Sequence, residues 1–174
     1  MTRLFHTQTA SPLGTIEIAC TETALVALEF SDADDRFQRS LQHRFGAVDL
    51  VDAADPLDVK TKLDAYFAGD LTLLDAIVAD GGGTPFQRRV WAALRTIPAG
   101  TTTSYGALAV TLAQPTATRA VGLANGANPI SIVVPCHRVI GADGTLTGYG
   151  GGLPRKRWLL DHEQRHGGDA GRLL

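Results

Sequence analysis

The sequence predicts an α+β chain: a small α/β unit over residues 1–80, then a mostly helical unit over residues 81–174 with a winged-helix-like helix-turn-helix. Three observations carry this. Paired runs rich in Ile, Val, Leu and Thr around a short polar turn occur early. Apolar residues three and four apart dominate the second half. Between the halves lies Asp80-Gly81-Gly82-Gly83, too costly in backbone entropy to sit inside a regular element.

Residues 15–20 and 24–30 flank the polar Thr21-Glu22-Thr23 and read as a hairpin. Residues 36–45 set Phe37, Leu41 and Phe45 four apart and stop at Gly46, which predicts a helix. A second helix over 58–68 repeats the spacing with Val59, Leu63 and Phe67, ahead of Gly69, and residues 71–78 read as a closing strand. Past the glycines, Thr84-Pro85 is a cap followed by proline at the first helical position, and Phe86, Val90 and Leu94 then line one face. Pro98-Ala99-Gly100 ends that helix. Residues 104–113 form a short helix with Tyr105, Leu108, Ala109 and Leu112 on one side; Gln114-Pro115-Thr116 turns; residues 117–124 continue as the next helix, closed by Asn125-Gly126. Two short helices joined by such a turn make the helix-turn-helix pattern, whose second helix normally approaches DNA. Asn128-Pro129 is a turn, and the apolar-rich residues 130–134 imply burial on all sides before Pro135-Cys136-His137-Arg138. A glycine-rich loop around Tyr149 precedes a last helix over 154–166 carrying Trp158, Leu159 and Glu163, and residues 167–174 are expected to fray.

Composition narrows the function classes. Of 174 residues, 44% are hydrophobic and 20% charged, which excludes disorder, collagen and coiled coil as the main architecture. No apolar run approaches the ~20 residues that span a bilayer. Residues 1–10 lack the basic-then-apolar order of a signal peptide. The two cysteines, Cys20 and Cys136, build neither a disulfide scaffold nor a four-cysteine zinc site, so a reducing cytoplasm is expected, with no metal and no membrane partner. The net charge of −2 conceals two unlike halves. Residues 1–80 hold six basic and fourteen acidic side chains, and residues 81–174 hold ten basic and four acidic ones. A polyanion partner is therefore open to the second half only, although two solvated faces differing in sign would look the same.

A cysteine beside a histidine at the end of a buried segment has two readings. It is a small core hydrophobe, the usual fate of a free cysteine, or a thiolate nucleophile activated by a base. Adjacent side chains diverge in a strand, so the second reading needs a tight turn, for which Pro135 is placed.

Pro135-Cys136-His137-Arg138-Val139-Ile140 resembles the reactive-site signature of the alkylguanine-DNA alkyltransferases, also called methylated-DNA–protein-cysteine methyltransferases. Ser104-Tyr105-Gly106, Arg119-Ala120-Val121-Gly122, Asn128-Pro129, Gly148-Tyr149, Trp158-Leu159-Leu160 and Glu163 follow the family's order and spacing over residues 84–166. Non-reactive relatives carry tryptophan in place of this cysteine. The resemblance implies that Cys136 accepts an alkyl group from the exocyclic oxygen of guanine in double-stranded DNA, once per chain and without cofactor. It implies His137 as base through a water, Glu163 as its orienter, Asn128 holding the turn, and Tyr105 protonating the guanine oxygen. Arg119 would fill the stack vacated by the flipped nucleotide, with small neighbours suiting a minor-groove approach. Gln114 and Thr103 would meet phosphates, and Tyr149, Gly150 and Val139 would line the pocket. Some relatives have serine where this chain has Gly150, so that side chain's hydrogen bond is lost and the pocket is expected to widen. The family's zinc ligands are not expected here. A monomer is expected, as are ordinary roles where the resemblance fails: a packing tyrosine at 105, an exposed carboxylate at 163, an Asx turn at 128. A non-catalytic sensor of alkylated DNA and a cysteine hydrolase are the competing functions.

Overall fold

A computed structural model describes residues 1–172. The chain is α+β and divides into two compact units, one of Met1–Gly82 with Pro129–Val133, the other of Gly83–Asn128 with the chain from Val134 onward.

The first unit is built on a four-stranded sheet in the order β3-β2-β1-β4. The expected hairpin is β2 (Ile16–Cys20) and β3 (Leu25–Phe30), paired antiparallel. Two strands have no clear mark in the sequence. β1 (Thr2–Thr9) pairs with β2, and β4 (Val48–Asp52) pairs parallel to β1 after the crossover helix α1 (Arg36–Phe45). Along β1 only Leu4 and Thr9 are buried, so its apolar alternation is faint. Leu4, Ala19, Val26, Ala27, Phe37 and Leu41 form a core that Phe45, Val48 and Leu50 extend. The helix α2 (Val59–Phe67) buries Val59, Leu63 and Tyr66.

The closing strand expected over 71–78 does not form. Leu73–Ala76 is a 3₁₀ turn that buries Leu74, with Ile77 buried after it. Buried residues three apart suit the three-residue period of that turn and not the alternation of a strand. One isolated bridge, Leu25 to Ala79, is what pairs there.

β3 is buried along its whole length because the chain returns to it. Leu28 bridges Ile130, donating its amide to the Pro129 carbonyl at 3.1 Å and accepting from the Ser131 amide at 2.9 Å. Ile132 then adopts φ +71°, rare for a β-branched residue, and Val133 donates to the Ser131 carbonyl at 2.8 Å across it. Glu29 is 2% exposed, yet fully engaged. It accepts from its neighbour's amide at 3.0 Å, from Arg36 Nε at 3.1 Å and from Ser131 Oγ at 3.0 Å.

In the second unit α3 (Pro85–Leu94) starts with a full capping box, Thr84 and Gln87 each bonding the other's amide. α4 (Tyr105–Thr111) is capped by Ser104, and α5 (Thr118–Gly126) completes the helix-turn-helix. Between them Ala113 sits at φ +58°, with the Gln114 amide on the Ala109 carbonyl and its own amide on Val110. That is a left-handed helix end built on alanine where glycine is usual. Trp91 Nε1 donates to the Ala124 carbonyl at 2.8 Å and ties α3 to α5. β5 (Thr103–Ser104) and β6 (Val139–Ile140) form a short parallel pair. The last helix, α6 (Leu153–Arg172), runs past the end read at His166. Gly167 and Gly168 lower helix propensity by about 1 kcal/mol each but remove no backbone donor. The end of the tail expected to fray, residues 173 and 174, lies outside the described residues. Among the described residues no helix is long and apolar enough to cross a membrane.

Candidate active site

The turn that two adjacent side chains need is present. Pro135, at φ −83° and ψ 66°, bends the chain so that the Cys136 amide donates to the Val134 carbonyl at 2.8 Å, and Cys136–Arg138 forms a 3₁₀ turn. Two carboxamides hold it. Asn128 Nδ2 donates to the Val134 carbonyl at 2.8 Å and Asn125 Nδ2 to the Cys136 carbonyl at 3.4 Å. Asn128 thus braces the turn six residues on, beyond the reach of an Asx turn. Cys136 is 7% exposed.

Glu163 is fully buried, unlike the exposed helix carboxylate that is its ordinary reading. Its Oε2 meets His137 Nε2 at 2.8 Å, and Arg138 grips both oxygens at 2.8 and 2.9 Å. The remaining Arg138 nitrogen, Nη1, donates to the Ile97 carbonyl at 2.6 Å. Burial alone would raise the Glu163 carboxyl, but attraction to His137, with hydrogen bonds from His137 and Arg138, holds it far below the carboxylate range. With Nε2 engaged, His137 Nδ1 is buried and without a protein partner. The Tyr149 ring stands edge-on to the His137 imidazole, centroids 6.5 Å apart.

The structure brings Cys136, His137, Glu163, Asn128, Val139 and Tyr149 into one neighbourhood. Val139 is buried in β6, and Gly150 is exposed beside Tyr149. Tyr105 opens α4. Its ring lies against Gly122 of α5, where a Cβ would be 3.8 Å from Cδ1, and its Oη accepts from Thr147 Oγ1 at 2.9 Å. Arg119 is exposed on the first turn of α5, in line with exposed Ala120 and Leu123. Gln114 lies in the helix-turn-helix turn and Thr103 pairs with Val139 through β5. Among the described residues, none of these last three side chains joins the buried cluster by a hydrogen bond.

Sequence reasoning gave no role to Arg138, Asn125, Lys156 and Thr147. Lys156 is completely buried, and its ammonium donates to the carbonyls of Val139 and Thr147 at 2.7 Å each and of Gly148 at 3.4 Å. Burial lowers its pKa, and the Cys136 side chain opposes that shift. Within Arg155-Lys156-Arg157 it reads as one charge of a solvated face. The one available signal was phase: Lys156 lies three residues before Leu159, on the buried side of α6. Arg138 and Lys156 are both internal, so the basic excess of the second half overstates its surface charge. Among the described residues, no three His, Cys, Asp or Glu side chains gather as a metal site would require.

A helix-turn-helix unit enclosing a cysteine beside an imidazole–carboxylate pair defines a class: DNA-binding-type proteins with an interior thiol suited to nucleophilic chemistry. Comparison with known proteins narrows it. Residues 85–165 match the 6-O-methylguanine DNA methyltransferase, DNA binding domain, and residues 4–78 the 6-O-methylguanine DNA methyltransferase, ribonuclease-like domain. A methylated-DNA–protein-cysteine methyltransferase of Salmonella typhimurium is 51% identical over 166 residues, 94% of this chain and 97% of that protein. The Mycobacterium tuberculosis OGT in complex with DNA has a TM-score of 0.77 at 45% identity, covering 95% of this chain and 94% of that one. The O6-methylguanine-DNA methyltransferase of Pyrococcus kodakaraensis has a TM-score of 0.70 at 26% identity, covering 92% and 98%. The chain belongs to the 6-O-methylguanine DNA methyltransferase family.

Proposed function

We propose that this DNA-repair methyltransferase takes an alkyl group from the exocyclic oxygen of guanine in duplex DNA onto Cys136, one group per chain. The observation that carries the reading is the buried turn on which Cys136 precedes a histidine held at Nε2 by Glu163 and open at Nδ1. The thiol proton passes through a water to His137 Nδ1, and Glu163 stabilises the resulting imidazolium. Sγ attacks the alkyl carbon, the carbon–oxygen bond breaks, and its electron pair returns to the guanine oxygen, which takes a proton from Tyr105. A thioether results, with no group in the chain able to remove it, so the reaction is stoichiometric and needs no cofactor. Arg119, Gln114 and Thr103 serve the duplex, and Tyr149, Gly150 and Val139 the extruded base. One chain acts per lesion.

Incubating the protein with an excess of methylated-guanine duplex and weighing it tests this. A methyl group in place of the thiol hydrogen on the Cys136 peptide is expected, with conversion of methylated guanine to guanine within the duplex stopping at one equivalent. Continued turnover would mark a hydrolase, and duplex binding without mass gain a damage sensor; either overturns the proposal. Arg119→Ala is expected to slow transfer from duplex about 10- to 100-fold, the few kcal/mol of unstacking a wedge offsets, and to spare transfer from the free alkylated base. Equal losses on both substrates would remove Arg119 from the wedge role.

A further inference from the structure

Lys156 and Thr147 form a connected device that the chemistry above does not use. An ammonium with no exposure is tolerable only where its N–H groups find acceptors. Lys156 finds three carbonyls, at positions 139, 147 and 148, two of them in a loop whose Thr147 and Gly148 are themselves exposed. One side chain of α6 thus pins the loop that carries Tyr149 to the strand that follows the Cys136 turn. The pinned residue reaches onward: Thr147 Oγ1 donates to Tyr105 Oη at 2.9 Å, across 42 positions of sequence. The flank of the Tyr105 ring is set by Gly122. Ring and hydroxyl are therefore located by two different partners.

We propose that Lys156 and Thr147 are positioning residues for alkyl transfer: Lys156 clamps the 147–148 backbone, and the Thr147 hydroxyl held there aims the Tyr105 phenol at the guanine oxygen. This rests on the role given to Tyr105 above. The test is single-turnover transfer from a methylated-guanine duplex, with the rate at saturating protein and the concentration for half-saturation measured separately for Thr147→Val, Thr147→Ser, Lys156→Met, Tyr105→Phe and the Thr147→Val/Tyr105→Phe double variant. Thr147→Val is expected to lower the saturating rate about tenfold, the worth of one orienting hydrogen bond, with half-saturation changed less than about twofold. Thr147→Ser restores the rate, and Thr147→Val adds nothing once Tyr105→Phe has removed its target. Lys156→Met follows the Thr147→Val pattern. Because Thr147 is exposed, its variants keep the fold if Lys156→Met does not. A full rate in Thr147→Val, or a loss that adds to that of Tyr105→Phe, overturns the proposal. A full rate in Tyr105→Phe overturns both this device and the acid role, whereas failure of the unsubstituted protein to gain mass overturns the alkyl-transfer reading itself.

Discussion

Cys20 ends β2 in the first unit with its Sγ 3.8 Å from the Pro56 carbonyl, whereas Cys136 opens a turn in the second unit and is followed by a buried imidazole. Both thiols are buried, so burial alone does not separate them. The surroundings do. Burial pushes the Cys20 thiol up to about 12, and the negative charge of Asp55 pushes in the same direction. Cys136 is followed on its turn by His137 and Arg138, both held by Glu163, and its side chain interacts electrostatically with the buried Lys156 ammonium. The same contrast recurs in the carboxylates. Glu29 shares its interior with one half-buried arginine and neutral donors, while Glu163 is gripped by Arg138 through two bonds and by His137 through a third. One unit uses buried polar groups to seat a returning segment; the other uses them to hold the turn that carries a sulfur.

Exchanging the cysteines breaks the comparison most sharply. Cys136→Ala is expected to abolish methyl transfer and leave duplex affinity nearly unchanged. Cys20→Ala is expected to keep the full transfer rate and cost about 1 kcal/mol of stability from lost packing. Thiol labelling at neutral pH should reach only position 136 in the native protein, since burial and Asp55 keep the Cys20 thiol protonated. Native-state labelling of Cys20 at a comparable rate would erase the contrast.

The two carboxylates come next. Glu163→Gln strands the Arg138 guanidinium in the interior and is expected to cost about 3–5 kcal/mol in urea unfolding, with transfer slowed as His137 loses its orienter. Glu29→Gln should cost less, about 1–2 kcal/mol, because Arg36 can turn to water and the Phe30 amide keeps an acceptor. Equal losses would show that the site's ion pairs are no more tightly coupled than those of the scaffold.

Acid sharpens the same point. Glu163 has a folded pKa depressed below its unfolded value of about 4.3. Its stabilisation is therefore fully present above that value and is lost as pH falls below it. Unfolding measured from pH 7 down to pH 3 should show stability falling below about pH 4.3, and Glu163→Gln should flatten that decline. A decline of the same slope in the variant would assign acid sensitivity to other carboxylates, such as Asp70 and Asp143.

The smallest expected effect is a gain. Ala113→Gly relieves a left-handed alanine at the turn of the helix-turn-helix and should add about 0.5–1 kcal/mol, read as a higher Tm with transfer unchanged. A lower Tm would mean that the turn tolerates alanine without strain.

Elements with strong local codes were readable from the residues alone. The hairpin, α1, α2, the Thr84-Pro85 helix start and the helix-turn-helix follow from short-range spacing, caps and breakers, which act within one or two turns of chain. The motif around Cys136 was legible too, because Pro135 bends the chain locally wherever it occurs. The remaining features depend on partners far away in sequence. β1 and β4 pair with each other across the crossover through backbone groups that carry no side-chain code. Within residues 71–78, Leu73–Ala76 became a 3₁₀ turn because burial in this fold chose residues three apart. Pro129–Val133 returns to β3, 102 positions from Ser131 back to Glu29, as no local pattern could announce. Lys156, apart from its phase on α6, and Arg138 read as solvated cations until folding supplied three carbonyls to one and a carboxylate to the other. A charge is legible in sequence, but its burial is a property of everything that closes around it.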